Sequence, residues 1–354
     1  MPVFDACVVQ KDRNRNMAYG EVFWKVGLDV YSLTDSDLNE TFGVPADHLL
    51  SAGLDLPYEY PIVTLLFYAA LAAIEPGQYH PSHMIVNIVL LLIAHLNLLM
   101  FISLGRAYWD RKWFAEMFGL YYGYELAFSI VFAKTEPLAE MLMLMTLSLW
   151  RQRRPLAAGA VLAVAVQVKV YPLLISPFLF AAAPLAIMPF VVVLLITTAP
   201  LLLSGQGYDA LVSHLLNSRA YSPTITNPFY VGLVFQNPLS VLAPLALVIG
   251  YLYCVLETTR WHGIPVPLPR LRVRDWRAIA VFALPLLLMG VSWVLIWYYS
   301  WFVVPMFIIE DESSLERYPI MMASLWVAHI VGILVNLPYF LSGPIADFVS
   351  HFKG

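Results

Sequence analysis

Long apolar runs recur along this 354-residue chain and decide what it can fold into. A run of about 20 apolar residues is long enough to cross the hydrocarbon core of a bilayer. Backbone polar groups find no water there, so such a segment has to be a helix. The composition of 60% hydrophobic and 12% charged residues is too apolar for a soluble domain of this length. We therefore predict an all-α fold, a polytopic membrane helical bundle.

The predicted membrane segments are bounded mostly by prolines, glycines and charged residues. Several are short, so we expect tilted, broken or half-spanning helices among them. The segments are Met84–Leu104, Trp113–Phe132, Pro137–Trp150, Pro155–Val168, Pro172–Ala183, Pro184–Leu203, Tyr230–Leu256, Ile279–Tyr298, Ser300–Ile309 and Ile320–Leu341.

Three clusters of basic residues between these segments predict the orientation of the bundle, because cytoplasmic loops carry an excess of lysine and arginine. The clusters are Arg106, Arg111 and Lys112; Arg151, Arg153 and Arg154; and Arg260, Arg270, Arg272, Arg274 and Arg277. They alternate correctly only if Pro57–Glu75 is an interfacial or partly inserted helix. We expect residues 1–83 to form an extracytoplasmic loop with this helix, and residues 84–354 the bundle, within one integral-membrane domain.

Charge and cysteine content exclude other classes of protein. The net charge of −4 is unremarkable, and nothing in the sequence indicates binding to nucleic acid. Cys7 and Cys254 lie far apart, without the spacing of a zinc site or a disulfide framework. The expected partners are therefore membrane lipids and molecules that lie at a membrane surface.

Lys169 stands in the otherwise apolar stretch VQVKVYPLLISP. A lysine at the centre of a bilayer costs about 2.5–3.5 kcal/mol on insertion scales, which makes such a residue a candidate for a functional site. The structural alternative is a lysine near a helix end whose ammonium reaches back to the interface. The sequence alone leaves both interpretations open.

Two blocks of sequence resemble a known family. The run AKTEPLAEMLMLMTLSLWRQRRPLAAGAVLAVAVQVKVYPLLISPFLF has an acidic residue before proline, a basic turn, and a small-residue helix that ends in Lys-x-x-Pro. Upstream, YGEVFWKVGLDVYS precedes YEYPIVTLLFYAAL, which carries a Tyr-x-Tyr-Pro element. In this order the elements resemble GT-C superfamily glycosyltransferases, in particular the polyprenyl-phosphate-mannose-dependent mannosyltransferases. The resemblance covers about the first half of the chain.

This resemblance implies an enzyme that transfers a sugar, most often mannose, from a polyprenyl phosphate to a lipid-linked or cell-surface acceptor. The implied reaction inverts the anomeric carbon, uses the polyprenyl-phosphate sugar as co-substrate and needs no other cofactor. It takes place at the extracytoplasmic or lumenal face of a cell or ER membrane. The implied fold is a GT-C-like bundle with a long extracytoplasmic first loop and an interfacial helix.

The resemblance also assigns roles to individual residues. A carboxylate on the first loop is the general base, and a cation stabilises the departing phosphate. Asp12 is the first choice for the base, Asp29 the second and Asp5 the third. The implied phosphate ligands are Lys169 and Arg219, and the implied substrate contacts are Tyr31, Tyr58, Tyr60, Glu136 and Tyr171.

Several of these residues have structural alternatives. Arg219 suits a solvated loop equally well, and Glu136 suits a helix N-terminus, where its charge favours the dipole. Asp35 and Asp37 form an Asp-x-Asp pattern that binds a divalent metal in some glycosyltransferases, although a solvated turn explains it as well. Polar residues within apolar segments are expected to pair between helices. These residues are His95, Asn97 and Glu125.

Two other functions stay open. A transporter or flippase of polyprenyl-linked glycans would be expected to have paired half-sequences with charges near the midplane, and no such repeat is visible. The family starts with a membrane helix, and the opening MPVFDACVVQ is too short and polar to be one. Either the true start lies upstream, or the chain lacks this helix. In the second case, an accessory subunit that keeps the fold without catalysis is the third possibility.

Overall fold

The computed structural model describes part of the chain. The described residues are 8–46, 49, 55, 57–75, 84–126, 134–203, 249–253, 255–257, 260, 263, 303–308 and 315–316, with side chains from residue 13 onward except that of residue 124. The chain divides into two compact units, Met1–Leu215 and Leu216–Gly354. In the second unit, the described residues include a 3-10 turn, Val304–Ile308, whose side chains are buried.

Nine α-helices lie in the described part of the first unit, joined by turns and short 3-10 helices. They are α1 (Val8–Val26), α2 (Asp35–Phe42), α3 (Ile62–Ile74), α4 (Met84–Gly105), α5 (Lys112–Leu126), α6 (Glu136–Arg151), α7 (Pro155–Val166), α8 (Ser176–Ala182) and α9 (Ile187–Leu203). A single isolated bridge, between Thr34 and Pro57, is the extended pairing found among the described residues. The predicted all-helical fold is confirmed there.

The segments predicted between residues 84 and 203 correspond to observed helices. Prolines lie in the first turn of α6, α7 and α8, where a helix accepts them. Pro200 lies inside α9. The predicted segment Pro172–Ala183 is a 3-10 helix, Tyr171–Ile175, followed by α8. Segments predicted beyond Leu203 lie largely outside the described residues. The predicted division of the chain at residue 83 stays a prediction.

Two stretches of the described chain are long and apolar enough to cross a membrane, Met84–Tyr108 and Pro184–Leu203. Their outward faces carry large apolar side chains that no other described part of the protein covers. On α4 these are Met84, Ile88, Leu92, Leu96 and Leu99; around α9 they are Leu185, Ile187, Met188, Val191, Val192, Leu195, Ile196, Leu202 and Leu203. Exposed apolar faces of this size support association with a membrane. The number of crossings stays a prediction.

Helix α1 differs from the sequence prediction, which treated the chain up to Pro57 as a loop. The stretch from Val8 to Val26 is one helix of 19 residues. Its polar run Arg13–Asn16 is buried rather than solvated. Arg13, Arg15 and Asn16 bond to other parts of the fold, and Asn14 accepts a hydrogen bond from Arg13 beside it. Gly20 allows α3 to cross α1 closely, since a Cβ there would lie 2.7 Å from backbone atoms of Tyr68 and Ala69.

The predicted interfacial helix is also shorter than expected. Of the segment Pro57–Glu75, only Ile62–Ile74 forms the helix α3. Pro61 is the N-cap of α3 and has an extended conformation, so the helix begins after it. Pro57 instead pairs with Thr34. This extended segment brings Tyr58, Glu59 and Tyr60 into the interior of the first unit.

The two ends of the α4–α9 helices differ in charge. Arg151 at the end of α6 donates through Nη1 to the carbonyl of Leu104 at the end of α4, over 2.7 Å. The first two basic clusters therefore lie at one end of these helices. Because α6 starts at Glu136 and runs to Arg151, Glu136 lies at the other end. A helix of 16 residues is about 24 Å long, so the two ends are well separated.

Candidate functional site

The backbone around Lys169 is held by helix α3. Helix α7 ends at Val166, and Pro172 follows at the second position of the 3-10 helix Tyr171–Ile175. The carbonyl of Gln167 accepts a hydrogen bond from the backbone N–H of Val63 at 3.1 Å. The carbonyl of Val168 accepts one from the Thr64 hydroxyl at 2.6 Å. The start of α3 thus satisfies carbonyls that the end of α7 leaves open.

The ammonium of Lys169 forms an ion pair with Glu136. The Nζ–Oε1 distance is 2.6 Å, and the side chains are 14% and 0% exposed. The same Nζ lies 5.8 Å from the centre of the Tyr60 ring, within the range of a cation–π interaction. We refer to Lys169, Glu136 and Tyr60 as the lysine site. Neither expected structural alternative describes it fully, since Lys169 is largely covered and the carboxylate of Glu136 bonds to it rather than to its own helix.

The other predicted tyrosines support the lysine site from the first loop. The Tyr31 hydroxyl donates to the Tyr60 carbonyl at 3.0 Å. The Tyr58 ring lies between those of Tyr31 and Tyr60, with centroid distances of 5.5 and 5.7 Å. The Tyr58 hydroxyl donates to Asn16 Oδ1 at 2.7 Å. These contacts tie α1 and the first loop to the residue that covers Lys169.

A second group of buried charges surrounds Arg15, which sequence analysis did not single out. Its guanidinium donates to Asp35 Oδ1 at 2.8 Å, to Glu59 Oε2 at 2.7 Å and to the Pro57 carbonyl at 3.0 Å. Tyr19 completes this arginine cluster, because its hydroxyl donates to Asp35 Oδ1 at 3.0 Å and its ring lies 4.9 Å from the guanidinium carbon.

Electrostatics of the arginine cluster favour a permanently charged Arg15. Burial by itself lowers the pKa of this group, but the charges of Glu59 and Asp35 and the hydrogen bond to Asp35 offset burial and raise the pKa well above its usual value. Burial also raises the pKa of the Tyr19 and Tyr58 hydroxyls, which therefore stay protonated. The arginine cluster is suited to holding α1, α2 and the extended segment together.

The Asp-x-Asp pattern is used structurally in this fold. Asp35 belongs to the arginine cluster. Asp37 accepts from the backbone N–H of Thr34 at 2.8 Å, while the Thr34 hydroxyl accepts from the Asp37 N–H at 3.3 Å, which is a capping box. No group of three or more metal-ligating side chains was found within the described residues. Metal binding at Asp35 and Asp37 remains an untested alternative.

An acidic cluster lies beside the lysine site. It consists of Glu125 on α5 and of Glu136 and Glu140 on α6, all three completely buried. The Tyr171 side chain is within electrostatic range of the three carboxylates, and Glu125 approaches Glu140 and Tyr121. Like charges repel more strongly in a buried site than in water, because the surroundings screen them less.

The acidic cluster also connects to α4. Asn97 donates through Nδ2 to Glu125 Oε2 at 3.0 Å and to the Pro137 carbonyl at 2.7 Å. The predicted pairing of Asn97 and Glu125 between helices is confirmed. His95 bonds through Nδ1 to the Leu91 carbonyl in its own helix, and its ring meets Tyr122 of α5 edge-on. The sequence signal for this cluster is Glu125, an acidic residue within an apolar run.

The candidate bases and the second candidate phosphate ligand lie in different parts of the chain. Asp12 lies within α1, four residues before Asn16, but its side chain is outside the described residues. Asp5 and Arg219 also lie outside them. Asp29 is exposed in the 3-10 helix Gly27–Ser32, where its carbonyl accepts from the Ser32 hydroxyl at 2.7 Å.

Comparisons with protein-family models, with curated proteins and with solved structures found no match for this chain. The function of this chain is therefore inferred from the arrangement of its own residues.

Proposed function

We propose that this chain is an integral-membrane glycosyltransferase that moves a sugar, with mannose as the first candidate, from a polyprenyl phosphate to a lipid-linked or surface acceptor. One observation carries the proposal: elements from both blocks of the family resemblance meet at Lys169. Glu136 of the acidic-proline element binds this lysine, and Tyr60 of the Tyr-x-Tyr-Pro element lies over it. Tyr31 in turn holds Tyr60.

The lysine site has properties that suit a phosphate. A lysine ammonium acts as a compact point charge toward phosphate and can exchange one anionic partner for another. The Lys169 side chain is 14% exposed, so it is accessible to a ligand that approaches from the surface. The neighbouring tyrosine rings offer apolar faces with polar hydroxyls, which suits a sugar phosphate carried on a lipid.

The position of the site agrees with a donor held at the outer membrane surface. Lys169 and Glu136 lie at the end of α6 opposite Arg151, whose basic cluster is expected to face the cytoplasm. The exposed apolar faces of α4 and α9 supply surfaces for membrane lipid. An isoprenoid tail can therefore stay in the hydrocarbon while its phosphate reaches the lysine.

In the proposed reaction, the acceptor hydroxyl attacks the anomeric carbon and gives its proton to the carboxylate of Asp12, or of Asp29 as the second candidate. The bond between the anomeric carbon and the phosphate oxygen breaks, and its electron pair leaves with the polyprenyl phosphate. Lys169 stabilises the charge on that leaving group. Direct displacement inverts the anomeric configuration.

Transfer of radiolabelled mannose from a short-chain polyprenyl phosphate donor tests this proposal in membranes that contain the protein. We expect Lys169→Ala and Asp12→Ala each to reduce the rate at least about 100-fold, because the first removes a group that stabilises charge on the leaving phosphate and the second removes the general base. Lys112→Ala and Asp110→Ala are matched controls, because both residues are exposed and remote in sequence from the site.

Loss of Lys169 leaves Glu136 buried without its cation, which endangers folding. The double variant Lys169→Ala/Glu136→Gln removes both charges. It should elute as a folded protein in detergent gel filtration and still lack transfer. Glu136→Gln alone keeps the cation and should retain measurable transfer. A double variant that transfers mannose at the wild-type rate would contradict the role given to Lys169.

Transport of a polyprenyl-linked glycan is the second candidate function. The observation that favours it is the acidic cluster within α5 and α6, because buried ionisable residues in apolar helices often mark ion or proton pathways. Reconstituted vesicles separate the two functions. A flippase moves a fluorescent polyprenyl-linked glycan between leaflets without breaking the sugar–phosphate bond, whereas the proposed transferase releases polyprenyl phosphate.

A further inference from the structure

Glu136 belongs to both the lysine site and the acidic cluster. Its Oε1 accepts from Lys169, while its Oε2 is buried and has no hydrogen-bond partner among the described residues. Its side chain is completely covered, in contrast to that of Lys169. Any change in the partner of Lys169 therefore changes the charge balance of a carboxylate that water does not reach.

Further acidic, aromatic and polar side chains surround Glu136. Glu125 and Glu140 lie near it, and both interact with the Tyr171 and Tyr121 side chains. Buried polar atoms without hydrogen-bond partners in the described structure include Glu125 Oε1 and the Tyr121 hydroxyl. Other polar or charged groups of this region are Asn97 on α4 and the buried Lys134, two residues before Glu136.

A phosphate and Glu136 cannot both be the close partner of one ammonium without bringing two anions together. If the donor phosphate takes the ammonium of Lys169, the carboxylate of Glu136 loses its bonded cation beside two other carboxyl groups. A buried carboxylate in that position is neutralised most simply by a proton. Complete burial of Glu136 does not prevent its protonation, because a proton needs very little space.

We propose that Glu136 takes up a proton when a phosphate replaces it as the partner of Lys169, so that donor binding is coupled to protonation of the acidic cluster. This inference rests on the proposed function, because it takes Lys169 as the phosphate ligand. The proton comes from solvent and forms an O–H bond on Glu136, and no other bond changes. The phosphate keeps its negative charge and Lys169 its positive charge.

The coupling has a defined sign. A ligand whose binding takes up a proton binds more weakly as the pH rises, because the proton becomes scarcer. With one proton linked, the Kd rises about tenfold for each pH unit over the range in which uptake is complete. Glu136→Gln has no carboxyl group to protonate, so its affinity should be higher at alkaline pH and nearly independent of pH.

Isothermal titration calorimetry of the detergent-solubilised full chain measures this uptake directly. The probe is mannosyl farnesyl phosphate, a phosphodiester whose charge does not titrate near neutral pH, and farnesol is its uncharged control. Titrations in Tris and in HEPES differ in heat by the number of protons taken from the buffer. We expect about one proton per bound probe in the wild-type protein.

The variants and outcomes separate this inference from the proposed function. Glu136→Gln should bind the probe with its proton uptake lost, and Glu116→Gln, an exposed residue on α5, should keep the wild-type uptake. Binding by the wild-type protein without proton uptake would overturn the coupling and leave the proposed function standing. Failure of the wild-type protein to bind the probe more tightly than farnesol would overturn the donor assignment, and the coupling with it.

Discussion

The arginine cluster and the acidic cluster are both buried in the first unit, yet they differ in how their charges are satisfied. Arg15 uses three nitrogens to reach two carboxylates and a backbone carbonyl, which fixes its position. In the acidic cluster, the described ion pair is a single contact from Lys169 to one of three buried carboxyl groups. The first arrangement holds parts of the fold together, whereas the second is suited to a change of partner.

The choice of cation agrees with this difference. A guanidinium is planar and presents its donors in a fixed fork, so it loses several bonds at once when a partner leaves. A lysine ammonium makes a compact contact on a flexible stem and turns readily from one anion to another. Arg15 is 2% exposed and Lys169 14%, so only the second has access to a ligand from outside.

The largest expected effect follows removal of Arg15 from the arginine cluster. Arg15→Met leaves Asp35 and Glu59 without their shared cation, and removal of one partner from a buried charge pair costs about 3–5 kcal/mol. We expect this loss in the free energy of unfolding, measured by denaturant titration in detergent micelles. Arg106→Met is the control, because that residue is exposed. Equal stability of the two variants would remove the structural role of the arginine cluster.

A smaller effect of opposite sign is expected in the acidic cluster. Glu125→Gln removes a buried carboxyl group whose Oε1 has no hydrogen-bond partner among the described residues, so the variant should be more stable than the wild type by about 1 kcal/mol. The gain should grow as the pH rises, because protons then leave the wild-type cluster and its charges repel. Thermal unfolding over a pH series measures this, with Glu116→Gln as the exposed control. A variant less stable at every pH would contradict the cost given to this buried carboxyl group.

The smallest effect is expected at an exposed carboxyl group, which sets the scale for both clusters. The backbone N–H of Ser36 donates to Asp55 at 2.9 Å and holds the pKa of Asp55 below its ordinary value of 3.8. A lowered pKa in the folded state gives stability above the ordinary pKa that is lost as the pH falls through the folded value. Asp55→Asn should therefore be slightly less stable near neutral pH and indistinguishable from the wild type in strong acid. Denaturant titrations at the two pH values would reveal a larger difference in acid if this assignment is wrong.

The apolar part of the fold could be predicted well from sequence. Segment Pro137–Trp150 was predicted, and α6 runs from Glu136 to Arg151. Segment Pro155–Val168 was predicted, and α7 runs from Pro155 to Val166. Continuous hydropathy bounded by proline and arginine is a strong local signal, because lipid-facing and buried sides of such helices are both apolar.

Helix α1 could not be predicted in the same way. Its stretch KDRNRN carries polar and charged residues in succession, a pattern typical of a solvated loop. Arg15 and Asn16 are nevertheless buried, because their partners Asp35, Glu59 and Tyr58 come from later in the chain. Local sequence does not reveal such partners.

The same reason limits prediction of the lysine site. Lys169, Glu136 and Tyr60 were each candidates, but the ion pair joins residues 33 positions apart. The sequence offers a structural role for Glu136 at the N-terminus of its helix, and it does not single out Glu140. Packing of α6 against the end of α7 creates the pair, and this depends on the whole first unit.

The backbone bonds between α3 and the end of α7 have a consequence for which phosphates the protein can select. Val63 and Thr64 hold the carbonyls just before Lys169, so the lysine is fixed to α3 at the level of the main chain. If α3 lies along the membrane surface as proposed, the height of the ammonium above the hydrocarbon follows the height of that helix. The protein would then select a phosphate by its depth in the lipid as well as by its charge.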